Sequence, residues 1–131
     1  MRITSDLFVS ALLRRVFAAG GYGAVLRKGA EQAGAIHIRR RDRLGLETLY
    51  GPAPQSFAMD DREDGAGDER LFEERLSGVD AEAVYAALAR EMRFDPDAWV
   101  VELECDDVAG LVALAGVERV STPADDLFRR R

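Results

Sequence analysis

DAEAVYAALAREMRFDPDAWVVELEC, residues 80–105, is the stretch on which the architecture turns. Val84, Leu88 and Met92 recur at helical spacing with Ala81 and Tyr85 beside them, while Glu82, Ala86, Arg90 and Arg93 fall on the other side. That spacing predicts an amphipathic helix over residues 81–93. Asp80 is placed to cap it, and Val79 to staple onto Val84. Pro96 stops it, because proline lacks the donor a helix needs and disfavours helical geometry in its predecessor. Within a turn the period changes from 3.6 to 2. Trp99, Val101, Leu103 and Cys105 share one face and Val100, Glu102 and Glu104 the other, which predicts a half-buried strand. One helix feeding into one strand fits an α+β chain once the elements upstream are counted.

Upstream, residues 5–19 form a second amphipathic pattern. Phe8, Leu12, Val16 and Ala19 line the buried side, Thr4 or Ser5 serves as cap, and Gly20–Gly21 ends the helix. Three short strands are expected over 23–28, 34–41 and 46–50, punctuated by Gly29, Gly34 and Gly45, and they read as an antiparallel meander. In the middle strand Ile36 and Ile38 take the core side, and Ala35, His37, Arg39 and Arg41 the wet side. Pro52 and Pro54 close the sheet, residues 60–69 read as a solvated acidic loop, and Leu71–Leu76 is assigned to a strand. Asp106 and Asp107 are placed to cap a third, small helix over Val108–Ala115. The expected fold is a two-layer α+β domain. A mainly antiparallel sheet, the meander plus a later strand, carries two main helices on one face. The domain is expected over residues 1–105, with 106–131 a short helix and a frayed tail.

The chain has 131 residues, enough for one ordinary domain. At 47% apolar and 32% charged residues it needs no metal or disulfide to build a core, and its single cysteine forms no internal disulfide. That cysteine usage fits a reducing, cytoplasmic compartment. Apolar runs near Leu7–Leu13 and Val108–Val117 fall short of a membrane span, and Asp6, Arg14 and Arg15 interrupt what would be the core of a secretion signal. The net charge of −6 is unevenly spread. Residues 1–59 carry nine basic and four acidic side chains, whereas residues 60–131 hold a large acidic excess. An acidic total opposes generic nucleic-acid affinity, which needs a surplus of cations.

Chemistry-bearing motifs are sparse. His37 and Cys105 are the lone histidine and cysteine, and their expected faces differ, so a nucleophilic dyad is disfavoured. A zinc site would draw on more such ligands, and the acidic stretch fails the calcium-loop pattern because Arg62 and Leu71 stand at ligand positions. Gly21-Tyr22-Gly23 follows a helix and precedes a strand, the reverse of a phosphate-binding turn. No cofactor, metal or catalytic residue is expected. Two clusters remain as candidate sites. Arg39, Arg41 and Arg43 crowd a hairpin that could grip a polyanion. Arg93, Asp95, Asp97 and Trp99, with Gln55, gather at the helix-to-strand corner as a candidate pocket or a structural joint.

The run Arg90–Glu102, the segment Gly51-Pro52-Ala53-Pro54-Gln55 and the opening Ser5–Arg15 resemble a small alphaproteobacterial family known as domain of unknown function 1491. The likeness covers about residues 2–104. It implies a bacterial cytosolic protein and brings no activity, cofactor or catalytic residue.

The reading that follows is a non-enzymatic protein-interaction module, self-associating or partner-binding, with no membrane role. Its support is a broad apolar first helix, open sheet edges and separated charge blocks. RNA or another polyanion held by the hairpin arginines is the alternative. A small-molecule enzyme or sensor at the Asp95, Asp97 and Trp99 corner is a third.

Overall fold

A computed structural model describes residues 3–54 and 70–115 of the chain. The elements in order are α1 (Ser5–Ala18), β1 (Tyr22–Arg27), β2 (Ile36–Arg41), β3 (Glu47–Pro52), β4 (Leu71–Val79), α2 (Ala81–Phe94), β5 (Trp99–Glu104) and β6 (Ala113–Leu114). The expected acidic loop at 60–69 and the tail beyond residue 115 lie outside the described residues.

Local chemistry explains the helix ends. Thr4 caps α1 by accepting from the Leu7 N–H at 3.2 Å, and the neighbouring Ser5 is wholly buried, donating instead to the Gly34 carbonyl at 2.6 Å. Gly20, at φ +91°, supplies the left-handed turn after α1. Asp80 caps α2 by accepting from the Ala83 N–H at 2.9 Å. Both caps are those the sequence names.

All six strands join one sheet in the order β1-β5-β2-β3-β4-β6. The β2-β3-β4 run is the antiparallel meander, β1 pairs antiparallel with β5, and β5 lies parallel to β2. The expected β1-β2 neighbourhood is therefore corrected: β5 inserts between them. Its Trp99-Val100-Val101 run is buried on both faces, as a central strand requires, whereas Tyr22–Arg27 is largely exposed and suits an edge. The sheet is mixed, mostly antiparallel, within an α+β fold.

The two helices do not share a face. Val9, Leu12 and Val16 of α1 pack with Ile36, Ile38, Tyr50, Val101 and Leu103. Val84 and Leu88 of α2 pack with Leu49 and Val100. Since Leu49–Tyr50 and Val100–Val101 are successive strand residues, the two cores lie on opposite sides of the sheet. This overturns the one-face, two-layer expectation, and the reason is chemical: the side of β2 that carries His37, Arg39 and Arg41 looks wet in sequence but is covered over His37 and most of Arg39. His37 is 3% exposed.

After Cys105 the chain returns to the fold. Val108 is 2% exposed within the α1-side core, a tight turn follows, and Ala113–Leu114 pairs parallel with Leu71–Phe72. A turn and a short strand stand where a third helix is expected. Gly110, at φ +80°, breaks the helical path. Among the described residues no helix is long and apolar enough to cross a membrane.

Candidate functional site

The hairpin arginines are held by β2 and the turn after it, which Asp42 organises by accepting from the N–H groups of Leu44 and Leu46. Their charge is already engaged. Arg39 donates through Nε and Nη2 to one oxygen of Glu47, at 2.9 and 2.6 Å. Arg41 reaches the other oxygen at 3.2 Å and lies 3.8 Å from Glu102 and 3.4 Å from Glu104. Arg43 pairs with Asp106, holding that carboxyl below its ordinary range. Arg40, on the opposite face, donates to the Tyr50 hydroxyl at 3.1 Å and to the carbonyls of Cys105 and Asp106. A polyanion would have to displace carboxylates from Arg39, Arg41 and Arg43, one of them on a guanidinium whose side chain is only 15% exposed. The arrangement does the chemistry of an internal ion network.

The helix-to-strand corner is closely hydrogen-bonded. The Asp95 side chain accepts from the Asp97 N–H and its carbonyl from the Ala98 N–H, while the Asp97 carbonyl accepts from Ala30. Trp99 is 2% exposed, and its Nε1–H donates to the Ala30 carbonyl at 2.8 Å. Arg27 donates to the Pro96 carbonyl at 2.7 Å. These bonds tie the loop between β1 and β2 to the end of α2. Arg93 and Phe94 face solvent, Phe94 at 87% exposure, so Phe94 does not anchor the corner that Trp99 does. Gln55 lies outside the described residues. Asp95 borders an open groove of about 720 Å³ between the start of α1, the end of β3 and the start of β4, with Ile3, Gln32 and Arg70 among its walls.

His37 and Cys105 sit on opposite faces and at different ends of β5, since His37 pairs with Val100 and the Cys105 N–H donates to the Arg41 carbonyl. They form no dyad. Burial pushes the Cys105 thiol up, against the pull of Arg40, away from a reactive thiolate. Among the described residues no group of His, Cys, Asp and Glu side chains could hold a metal ion.

His37 itself is a group the sequence reading placed wrongly. It lies beneath α2 with Nε2 3.9 Å from Glu91, and its buried Nδ1 makes no hydrogen bond within the described residues. Arg75 lies 3.8 Å from the same Glu91 and crosses Gly51 so closely that a Cβ there would meet the guanidinium carbon at 2.6 Å. The Ile-His-Ile alternation, taken with a helix that needed a sheet face, was the available signal. Burial pushes the His37 pKa below its ordinary 6.5; Glu91 and Asp95 oppose this, and Arg75 adds to it. Below pH 6.5 the unfolded chain therefore takes up a proton before the native one does. This part of the stability is full above pH 6.5 and is lost as pH falls through the lower native value. Urea midpoints from pH 8 down to about pH 5 should decline more steeply for the wild type than for His37→Gln. Parallel pH curves for the two chains would refute the assignment.

The remaining surface feature is β1. It is the outermost strand, with β5 as its one strand neighbour among the described residues. Tyr22, Val25 and Leu26 are 49, 39 and 48% exposed. Phe17 of α1, 51% exposed, meets Tyr22 edge-to-face with ring centroids 5.9 Å apart. No charged side chain occurs between Ala18 and Leu26.

Comparison with known proteins gives the kinship. The profile of the family described as Protein of unknown function (DUF1491) matches residues 3–113. A protein from A. tumefaciens with a solution structure is 61% identical, with 88% of this chain and 96% of that one covered and a TM-score of 0.76. A DUF1491 family protein from Caulobacter crescentus, solved by crystallography, is 28% identical, with 88% and 100% coverage and a TM-score of 0.69. Its NMR structure matches equally, at 28% identity, 88% and 99% coverage and a TM-score of 0.69. No curated protein matches. The chain belongs to the DUF1491 family.

Proposed function

We propose that this DUF1491 protein is a non-enzymatic docking module whose binding surface is the free edge of β1 and the apolar side chains beside it. The observation that carries the reading is the contrast between the two ends of the sheet. An edge strand presents unpaired N–H and C=O groups to any strand that approaches, and folded proteins commonly blunt such edges. At the far end β6 covers Leu71 and Phe72, and the rest of β4 opens with Glu73, Glu74 and Arg75. At the near end β1 offers Tyr22, Val25 and Leu26, backed by Phe17, with Arg27 its one charge. That pairing of open backbone and exposed apolar side chains is what strand addition uses. The committed hairpin arginines and the bonded-up corner favour this reading over polyanion binding and over catalysis. The use of a single cysteine supports a cytoplasmic setting.

The test compares tagged wild-type chain with the Phe17→Asp, Tyr22→Asp double variant as bait in a bacterial lysate treated with nuclease. Both positions are about half exposed, so the fold should survive, which circular dichroism checks. Stoichiometric retention of proteins, added untagged chain included, should drop at least roughly tenfold in the variant. Equal retention by both baits would overturn the assignment.

A further inference from the structure

We infer that the occupant of the β1 edge is a second copy of this chain, paired antiparallel through β1 about a two-fold axis at Ala24, so that two six-stranded sheets become one. The inference rests on the docking role of that edge and adds the partner.

Self-complementarity is the first argument. A two-fold axis normal to the sheet pairs residues whose side chains share a face, so their numbers must sum to an even value. With Ala24 opposite Ala24 of the second copy, Gly23 stands opposite Val25, and Tyr22 comes beside Leu26 at the bulge. Each large exposed side chain meets a small or apolar one, and aromatic–aliphatic pairs are favourable cross-strand neighbours. Arg27, beyond the bulge, is displaced from the axis, so it does not face the second copy's Arg27. The pairing register is irregular between Val25 and Arg27, which confines the regular ladder to a short core. Side chains on either side of it supply the remaining buried surface.

Charge supplies the second argument. Ala24 and Tyr22 pair within the monomer with Glu102 and Glu104. Those two carboxylates share Arg41 with Glu47, and three carboxylates against Arg39 and Arg41 leave one negative charge in excess. The strand's own cation, Arg27, is at its other end. Antiparallel pairing carries each Arg27 toward the acidic end of the other copy, whereas parallel pairing would set Arg27 beside Arg27.

The experiment uses the full chain in sedimentation velocity across a concentration series, with Ala24→Lys and Ala24→Glu variants. The wild type should sediment as a dimer. Each variant alone places like charges face to face and should weaken the dimer at least roughly tenfold, while an equimolar mixture of the two should restore it. If either variant fails to fold, Ala24→Cys with Cys105→Ser replaces it. Opposed Cα atoms in an antiparallel pair lie about 4.5–5.5 Å apart, within disulfide reach, so that chain should form an interchain disulfide on mild oxidation. A monomeric wild type whose bait still captures other proteins in a Tyr22-dependent manner would overturn the second copy and leave the docking surface standing. A wild-type dimer indifferent to every Ala24 change would overturn the β1 pairing, and the docking surface would then fall only if both baits also retained proteins equally.

Discussion

Replacing Glu47 with alanine is expected to cost about 3–5 kcal/mol of unfolding free energy. Glu47 is 1% exposed and bonds Arg39, whose side chain is 15% exposed, through both Nε and Nη2. Removing the carboxylate takes away both hydrogen bonds of a mostly buried guanidinium that has little water to replace them. Arg41 loses one of its carboxylates but, at 41% exposure and with Glu102 and Glu104 at hand, contributes less. Replacing both members, Arg39→Leu with Glu47→Leu, should recover most of the loss, because an apolar pair avoids the desolvation that the ion pair only offsets. Urea unfolding of the three variants separates the cases. A Glu47→Ala loss under about 1 kcal/mol would mean that Arg39 swings out to water, and the hairpin would regain its standing as a polyanion site.

The same ion network explains what the sequence reading missed. Alternation in β2 was read correctly residue by residue: Ile36 and Ile38 do share a face, and His37, Arg39 and Arg41 share the other. The error lay in equating charge with water. Arg39 and Glu47 neutralise one another across neighbouring strands, so a face with charged side chains still lies in the interior. Only the partner, assigned by register between residues distant in sequence, reveals that. The adjacent apolar pairs Leu49–Tyr50 and Val100–Val101 were the local sign of burial on both faces. Strand order was less legible still. Nothing local in Tyr22–Arg27 says that β5, some seventy residues later, is its neighbour, because pairing is decided by the whole sheet. By contrast the caps, the glycine stop after α1 and the proline stop after α2 are local chemistry, and the structure matches them. The candidate sites follow the same division. Asp95 and Asp97 are joined by a hydrogen bond at the corner, which is local chemistry, whereas Arg93 faces solvent. That Arg39, Arg41 and Arg43 are engaged by Glu47, Glu102, Glu104 and Asp106 was invisible without the fold.

Truncating Trp99 to alanine should cost about 3–5 kcal/mol, and the chemistry of the loss decides between the joint and the pocket readings of the corner. Trp99 does two things. Its ring fills the α1-side core at 2% exposure, and its Nε1–H holds the Ala30 carbonyl at 2.8 Å. Phenylalanine keeps most of the filling and drops the hydrogen bond, so Trp99→Phe should cost about 1–2 kcal/mol. Because Trp99 is the chain's only tryptophan, unfolding has to be followed by circular dichroism rather than by indole fluorescence. If the corner is a joint, both variants should loosen the 28–35 loop, and amide exchange there should quicken in proportion to the stability lost. The loop's Gly29 sits so near the Trp99 ring and the Asp97–Ala98 backbone that a β-carbon would overlap all three, leaving the ring no room to move instead. A Trp99→Ala chain with wild-type stability would mean that the ring serves something other than the fold. Asp95 and Asp97 beside it would then be read as a binding site after all.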